Sequence, residues 1–256
     1  SPSRSQLWRG HCDHLSKCMT RKKLGIIQSR GLGDLVIALP IARWFADQGR
    51  PIYWPIDEQF LTDMQAGAPW VNWVPVPYDP PGRYFYDVPM ERLRNLKIQD
   101  ILCLYQHLTN HRFSEERYFQ YTSFDQYKYI RAGVPFLEKW NLARCITRNP
   151  EREQALKTRM VKNPDYVAVH LEGSSARADF DRSIIPEDWQ IIEISKTPGY
   201  TLWDWLGILE GAQSIICVDS VYANLVDQLN IGTDRYFIPR SHIGLTPVQG
   251  QDWTWI

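Results

Sequence analysis

The sequence has no excess of charge of either sign. Its 29 lysine and arginine residues are balanced by 29 aspartate and glutamate residues, so that the formal net charge is zero. A neutral chain exerts no global attraction on nucleic acid or on an anionic membrane surface. The composition therefore excludes a general polyanion-binding protein, and a partner of that kind would need a local basic groove.

Long apolar runs and a paired set of cysteines are missing as well. No apolar stretch reaches the roughly 18 residues of a membrane span. The five cysteines are odd in number and scattered, unlike a disulfide framework, and we expect reduced thiols with Cys103 and Cys217 inside strands. These absences favour a cytoplasmic protein. Residues 1–18 lack a sustained hydrophobic period, so we expect a leader or a cloning remnant there rather than part of the fold.

The sequence does contain enough apolar surface for a core, because 44% of the 256 residues are hydrophobic. Short apolar runs alternate with segments whose apolar residues recur at helical spacing. Strands separated by helix-length segments need right-handed crossovers, which predicts mostly parallel sheets. Strands are expected at 22–28, 51–57, 71–77, 99–105, 165–173, 190–195, 214–220 and 234–240. Helices are expected at 34–49, from 114 to about 132, and at 149–160, 201–212 and 221–230.

A polar helix divides this pattern into two parts. It is "NPEREQALKTRM" (149–160), with Asn149 as its cap and Pro150 in its first turn. The alternation of strands and helices restarts after it. We therefore predict an N-terminal domain over residues 19–148 and a C-terminal domain over residues 149–256, each an α/β unit.

The stretch "SRGLGDLVIALP" (29–40) lies where a strand is expected to turn into a helix. Gly31 and Gly33 permit a tight turn and the close approach of a ligand, and Asp34 stands at the helix start. Ligands of parallel sheets bind beyond the carboxyl ends of the strands, near helix N-termini, so this loop and "CVDSVY" (217–222) are candidate anion sites. Asp34 is either a helix cap or a catalytic acid or base.

Dinucleotide binding is a second interpretation of the same loop. Asp57 ends the next strand about where a ribose-binding acid would stand. The third glycine of the Gly-x-Gly-x-x-Gly pattern is replaced by Val36, whose bulk hinders close packing of helix on strand. The fingerprint is incomplete, and a nicotinamide-dependent oxidoreductase remains an alternative.

Three segments together resemble the heptosyltransferase-type glycosyltransferases. "GDLVIALP" (33–40) is similar to the Gly-Asp loop and helix of that family, and "YVAVHLEGSSARADF" (166–180) to its strand and polar phosphate-binding loop. The segment 201–229 is similar to its helix, strand, Asp-Ser turn and donor-binding helix. Order and spacing agree over most of residues 22–240.

The resemblance implies a GT-B-like α/β fold, in which two Rossmann-like domains with mostly parallel sheets face each other across a cleft. The second domain is shortened, because a helix–strand unit usual between 186–189 and 191–195 is missing. The implied activity is inverting transfer of a sugar from a nucleotide-diphosphate donor to an acceptor hydroxyl, with Asp34 as the base. It uses no metal and no bound cofactor, since the nucleotide-diphosphate sugar is a co-substrate.

The donor side combines this resemblance with the needs of a departing nucleotide diphosphate, which are cations and helix N-termini aimed at its phosphates. Val221 stands where the family has glycine and Asn224 where it has histidine, so the donor is left open. His170 either touches the donor or is a satisfied buried histidine, and Asp219 is expected to hold the turn. The predicted donor-binding residues are His170, Ser174, Ser175, Arg177, Arg182, Asp219, Ser220, Val221 and Asn224.

The N-terminal domain receives the acceptor in this family, a carbohydrate or another hydroxyl-bearing molecule. The acceptor-side candidates are Gly31, Gly33, Arg112 and Arg117. Basic and aromatic residues of this region would also suit hydroxylated bases of DNA, on which small viral glycosyltransferases act. By resemblance, the tail "QDWTWI" (251–256) is expected to pack its tryptophans onto this domain.

Two further alternatives concern this region and the protein as a whole. Tyr121, Phe124 and Lys128 recur at helical spacing, which favours a packed amphipathic face over a surface for ligand stacking. Asn224 and the shortened second domain also permit a nucleotide- or glycan-binding protein without catalysis.

Overall fold

Two parallel sheets form the framework of the computed structural model, which describes residues 22–77, 83–105, 122–173, 177–232, 234–240, 246–250 and 252–256. The strands are β1 (Leu24–Ile27), β2 (Ile52–Asp57), β3 (Asn72–Val76), β4 (Asp100–Cys103), β5 (Tyr166–His170), β6 (Gln190–Glu193), β7 (Ser214–Val218), β8 (Asp234–Ile238) and β9 (Thr254–Trp255). The first sheet has the order β3-β2-β1-β4 and the second β6-β5-β7-β8-β9. All of these pairings are parallel.

Helices cover and connect the two sheets. They are α1 (Leu32–Asp47), α2 (Leu61–Gly67), α3 (Asp87–Asn95), α4 (Phe124–Ala132), α5 (Pro150–Met160), α6 (Leu206–Gly211) and α7 (Val221–Gln228). Shorter 3₁₀ segments lie at Glu58–Phe60, Phe136–Arg144, Arg182–Ile184 and Leu202–Trp205. None of the helices in the described ranges is long and apolar enough to cross a membrane.

The central strands are fully buried, which is why apolar runs in the sequence predict them. Every residue of β1, β5 and β7 is buried. A parallel sheet covered on both faces produces continuous apolar runs rather than alternation. The predicted strands are confirmed with ends that differ by a few residues, and Cys103 and Cys217 are free thiols inside β4 and β7.

Some elements were not predicted. Residues Glu58–Gly67 form a 3₁₀ turn and α2, and residues Asp87–Asn95 form α3. The helix α3 is short and polar, and it is held by Val88 and Leu93, which are buried in the tertiary structure. The expected helix from 114 is observed from Phe124 onwards, while its first part and residues 1–18 lie outside the described residues.

The predicted packing of the C-terminal tryptophans is wrong. Both lie on the second sheet: Trp253 and Trp255 place their rings 5.8 and 4.9 Å from that of Phe237 in β8. The physical reason is the open edge of β8, which β9 closes by parallel pairing. The described segment before them reaches the N-terminal half, where Val248 N–H donates to the Asp125 carboxylate at 3.0 Å.

The two halves share one hydrophobic cluster. It contains Leu35 and Trp54 from the first half together with Trp203 and Leu225 from the second. The sheets lie on either side of α5 in the chain, and the domain boundary placed there by the sequence stays a prediction. The shared core means that the two halves do not pack as independent units.

A second contact joins the halves beside α2. Gly67 lies against the indole of Trp203, so closely that a Cβ atom at this position would overlap the ring. Trp203 Nε1 donates to the carbonyl of Asp63 at 2.6 Å, and the Asp63 carboxylate accepts the N–H of Leu202 at 2.8 Å. This contact fixes the 3₁₀ segment Leu202–Trp205 to the first half of the chain.

Gly67→Ala tests this contact. We expect a loss of about 1–3 kcal/mol in the free energy of unfolding, because the added methyl group displaces the indole. In a Trp203→Ala background the same change should be neutral or stabilising, since alanine is the better helix former by roughly 1 kcal/mol. Urea denaturation of the four proteins measures both values, and an equal cost in the two backgrounds would contradict the contact.

Candidate active site between the two sheets

An open cavity of about 640 Å³ lies between the two sheets. Its walls are formed by the segments that follow strands β1 to β8, together with part of α2 and α4. In parallel sheets, ligands bind beyond the carboxyl ends of the strands. The cavity occupies this position for both sheets at once.

The N-termini of α1 and α7 meet at the floor of this cavity. A Cβ atom on Gly33 would lie 3.6 Å from the backbone nitrogen of Val221 and 3.1 Å from Nδ2 of Asn224. The two helix starts therefore adjoin at Gly33, and an added side chain there would crowd the Asn224 amide. Both positive helix ends, with their unpaired N–H groups, face one volume, and such an arrangement attracts an anion.

Asp34 does not cap α1. The N-cap residue is Gly31, with φ 82°, and no side-chain cap bond forms. The Asp34 carboxylate folds back over Gly31, where a Cβ atom would overlap it, and Oδ1 lies 2.9 Å from Nζ of Lys128. The side chain of Asp34 is 32% exposed and lines the cavity. A carboxylate held in this way is accessible to a substrate hydroxyl.

His170 and Ser220 connect the second sheet to the cavity. Nδ1 of His170, at the end of β5, lies 3.0 Å from Oγ of Ser220 at the start of α7, and the imidazole lies 4.6 Å from the ring of Tyr222. Burial lowers the pKa of His170 to about 4. The imidazole is neutral at physiological pH, and it orients the Ser220 hydroxyl as a polar group rather than as a charge.

Asp219 and Asn224 shape the turn before α7. Nδ2 of Asn224 donates to the carbonyl of Ser220 at 2.9 Å, which fixes the turn. Burial raises the pKa of Asp219, while Arg240, whose Nη2 lies 3.7 Å from Oδ2, opposes that rise. The position of Arg240 after β8 brings a guanidinium to the cavity wall beside this turn.

The structure does not bring Arg177 and Arg182 to the cavity wall. The backbones of Arg177 and Glu172 form an antiparallel β-bridge. The Arg177 guanidinium lies 2.5 Å from the Glu193 carboxylate, so its charge is paired on the surface. Arg182 lies in an exposed 3₁₀ turn. Among the described residues that line the cavity, the permanent cations are Arg30, Lys196 and Arg240. The predicted residues Ser174, Ser175, Arg112 and Arg117 lie outside the described residues.

The geometry does not favour the dinucleotide interpretation. The Asp57 carboxylate accepts the backbone and side-chain N–H groups of Gln59 at 3.0 and 2.9 Å, and it lies 3.2 Å from the Arg30 guanidinium. It is 5% exposed and is not part of the cavity wall. A ribose hydroxyl therefore has no access to it, and Val36 is fully buried where the fingerprint has glycine.

Aromatic side chains form the wall on the side of the first sheet. Phe60, Phe85, Tyr105 and Phe124 line the cavity there. The guanidinium of Arg30 lies beside them, 4.6 Å from the ring of Tyr84. Of these four residues, only Phe124 carries a prediction from the sequence, which is a place on a packed face.

The sequence also predicts Lys128 on the packed face, as it does Phe124 and Tyr121, the last of which lies outside the described residues. Lys128 is indeed buried, at 4% exposure, but its ammonium group contacts the cavity carboxylate Asp34. A lone lysine among apolar residues of a helix was the available signal, because a buried charge needs a partner. Lys196 and Arg240 carried no comparable signal.

Solved structures resemble this chain in fold. A family 9 glycosyl transferase from Veillonella parvula shares 12% identity with it, with a TM-score of 0.54 over 92% of this chain and 85% of that one. Heptosyltransferase II of Escherichia coli shares 12%, with a TM-score of 0.52 over 92% and 90% of the two chains. The dodecameric iron-containing glycosyltransferase TibC of enterotoxigenic E. coli shares 13%, with a TM-score of 0.52 over 86% and 58%. No protein-family model and no curated protein matches the sequence.

These likenesses concern the fold. The chain has a divergent, heptosyltransferase-like version of it, and the GT-B-like α/β architecture with two parallel sheets is confirmed. Because identity is 12–13%, the chemistry has to be argued from the residues of this chain.

The buried His170 predicts a pH dependence of stability. Its pKa falls from 6.5 to about 4 on folding, so the unfolded chain binds the additional proton between these values. Stability from this group is complete above pH 6.5 and decreases as the pH falls toward 4, by about 3 kcal/mol in total. Urea unfolding at a series of pH values should show this decrease in the wild type and not in His170→Asn. Parallel profiles of the two proteins would contradict the prediction.

Proposed function

We propose that this protein is a glycosyltransferase that moves a sugar from a nucleotide-diphosphate donor to an acceptor hydroxyl with inversion. One observation carries the proposal: the Asp34 carboxylate and the N-terminus of α7 line the same cavity from opposite halves of the chain. A base for the acceptor and an anion site for the leaving group are thereby within reach of one bound sugar.

In the proposed reaction, the acceptor oxygen attacks the anomeric carbon from the side of Asp34. The bond from that carbon to the phosphate oxygen breaks, and the acceptor proton passes to the Asp34 carboxylate. The nucleoside diphosphate leaves with increased negative charge. Arg240, Lys196 and the N–H groups at the start of α7 are assigned to this charge, so the proposed mechanism uses no metal.

Similar structures support this donor class. A second structure of TibC, with a TM-score of 0.54 over 92% of this chain and 62% of that one, is a complex with ADP-D-β-D-heptose. The cavity of this chain offers cations and helix N-termini that suit the diphosphate of such a donor. The sugar and the nucleobase of the donor are left open, because Val221 and Asn224 depart from the family pattern.

The acceptor lies against the aromatic wall in this proposal. On that side Asp34 pairs with Lys128 and Arg30 pairs with Asp57, while the Asp63 carboxylate accepts the N–H of Leu202. The rings of Phe60, Phe85 and Phe124 support an acceptor that presents a ring, a sugar included. A DNA acceptor stays a prediction, since Arg112 and Arg117 lie outside the described residues.

Asp34→Asn tests the base. We expect kcat to fall by about 10²–10⁴-fold, because the amide cannot take the acceptor proton. Nucleoside diphosphate release from a pool of nucleotide-diphosphate sugars, with mixed hydroxyl acceptors, provides the assay. The affinity for ADP or UDP, measured by calorimetry, should change little.

Asp47→Asn is the matched control for this variant. Asp47 ends the same helix and pairs with Arg43 on the surface, away from the cavity. Wild-type turnover in Asp34→Asn would remove Asp34 from the mechanism. Nucleotide binding without hydrolysis or transfer by the wild type would favour the non-catalytic alternative, and binding of NADH would favour the oxidoreductase.

The leaving-group site predicts which cations matter. Lys196→Met and Arg240→Gln should each weaken ADP or UDP binding about 10-fold or more, the value of one charge-assisted contact. Arg177→Gln should leave that affinity unchanged, because its guanidinium is paired with Glu193. Calorimetry on the three variants decides between them, and the opposite ranking would restore the assignment made from the sequence.

A further inference from the structure

Lys128 has an unusual environment for a lysine. Its side chain is 5% exposed, and Nζ contacts three oxygen atoms: Asp34 Oδ1 at 2.9 Å, Gln28 Oε1 at 2.8 Å and the Leu104 carbonyl at 3.5 Å. The ring of Phe124 lies 5.5 Å away. A buried ammonium group is costly unless it is paired and hydrogen-bonded, and these contacts meet that condition.

Gln28 makes this environment rigid. It lies directly after β1, is 1% exposed, and donates from Nε2 to the carbonyl of Arg30 at 2.9 Å. Its backbone carbonyl accepts Trp54 Nε1 at 3.0 Å, which holds the main chain at this position. Both ends of the Gln28 amide are engaged, so the oxygen that faces Lys128 cannot turn away. The position of Nζ is therefore fixed by the first sheet.

We propose that Lys128, anchored by Gln28, is the positioning residue for the Asp34 carboxylate. The inference rests on the proposed function, in which Asp34 is the base. Asp34 lies in the first turn of α1, and its carboxylate is partly exposed to the cavity. Lys128 holds Oδ1, and Oδ2, which lies over Gly31, is assigned to the acceptor hydroxyl. A third group orients the base in the same way in other catalytic arrangements.

A second buried lysine shows the difference between positioning and packing. Lys139 is fully buried and pairs with Asp125 at 2.8 Å and with the Val248 carbonyl at 2.6 Å. None of these three residues lines the cavity. Lys139 thus has the burial and partners of Lys128 without access to the site, which makes it the matched control.

The experiment is a double-mutant cycle with Lys128→Met and Asp34→Asn. We expect Lys128→Met alone to lower kcat by about 100-fold, since a displacement of a catalytic group by about 1 Å has an effect of that size. KM for the donor should change by less than 3-fold. In the Asp34→Asn background the same substitution should have no further effect on the residual rate, because no base is left to orient.

The remaining variants separate positioning from general destabilisation. Lys128→Arg should restore part of the lost kcat, which a purely structural loss would not show. Lys139→Met should lower the Tm and leave kcat unchanged at temperatures where it is folded. If Lys128→Met does not fold, Gln28→Met, which removes the anchor and keeps the ammonium group, should lower kcat about 10-fold.

The outcomes distinguish this inference from the proposed function. Loss of turnover in Asp34→Asn with wild-type kcat in Lys128→Met would overturn the positioning role alone. Equal effects of Lys128→Met in both backgrounds would also overturn it. Wild-type turnover in Asp34→Asn, or no turnover in the wild-type protein, would overturn both.

Discussion

The close approach of two helix N-termini at Gly33 is the interaction on which the rest of this structure depends. Two positive helix ends repel each other, so their juxtaposition needs nearby negative charge. The Asp34 carboxylate lies there but is paired with Lys128, so the diphosphate of the proposed donor would supply most of that charge. A fold that holds α1 against α7 therefore creates an anion site and places a carboxylate beside it in a single step.

Contacts on both sides of the cavity hold this juxtaposition. On one side Trp203 fills the space over Gly67, and Asp63 caps the segment that begins at Leu202. On the other side Lys139 joins Asp125 to the chain at Val248. Burial raises the pKa of Asp63, because the charged carboxylate is partly removed from water at this contact. The cavity is thus bounded by packed and hydrogen-bonded surfaces of both halves.

The two sides of the cavity differ in their side chains. On the side of the first sheet, Asp34 and Arg30 are paired with Lys128 and Asp57, and aromatic rings line much of the wall. On the side of the second sheet, Lys196 and Arg240 line the cavity, with Arg240 3.7 Å from the Asp219 carboxylate just before α7. These walls suit the proposed reaction, in which one substrate is bound by its rings and the other by its phosphates.

The sequence by itself determined the strands, the main helices and the two loops that form the cavity. Buried parallel strands are continuous apolar runs, and Gly31, Gly33 and Asp34 are local features of one turn. Only the tertiary structure decided which charges reach the site. Arg177 and Lys128 are both cations whose partners the local sequence does not indicate. Arg177 is paired with Glu193 on the surface, and Lys128 is paired with Asp34 at the cavity. The partner of a charge is set by residues distant in the chain, and the spacing of residues along one sequence does not show which of them are close in space.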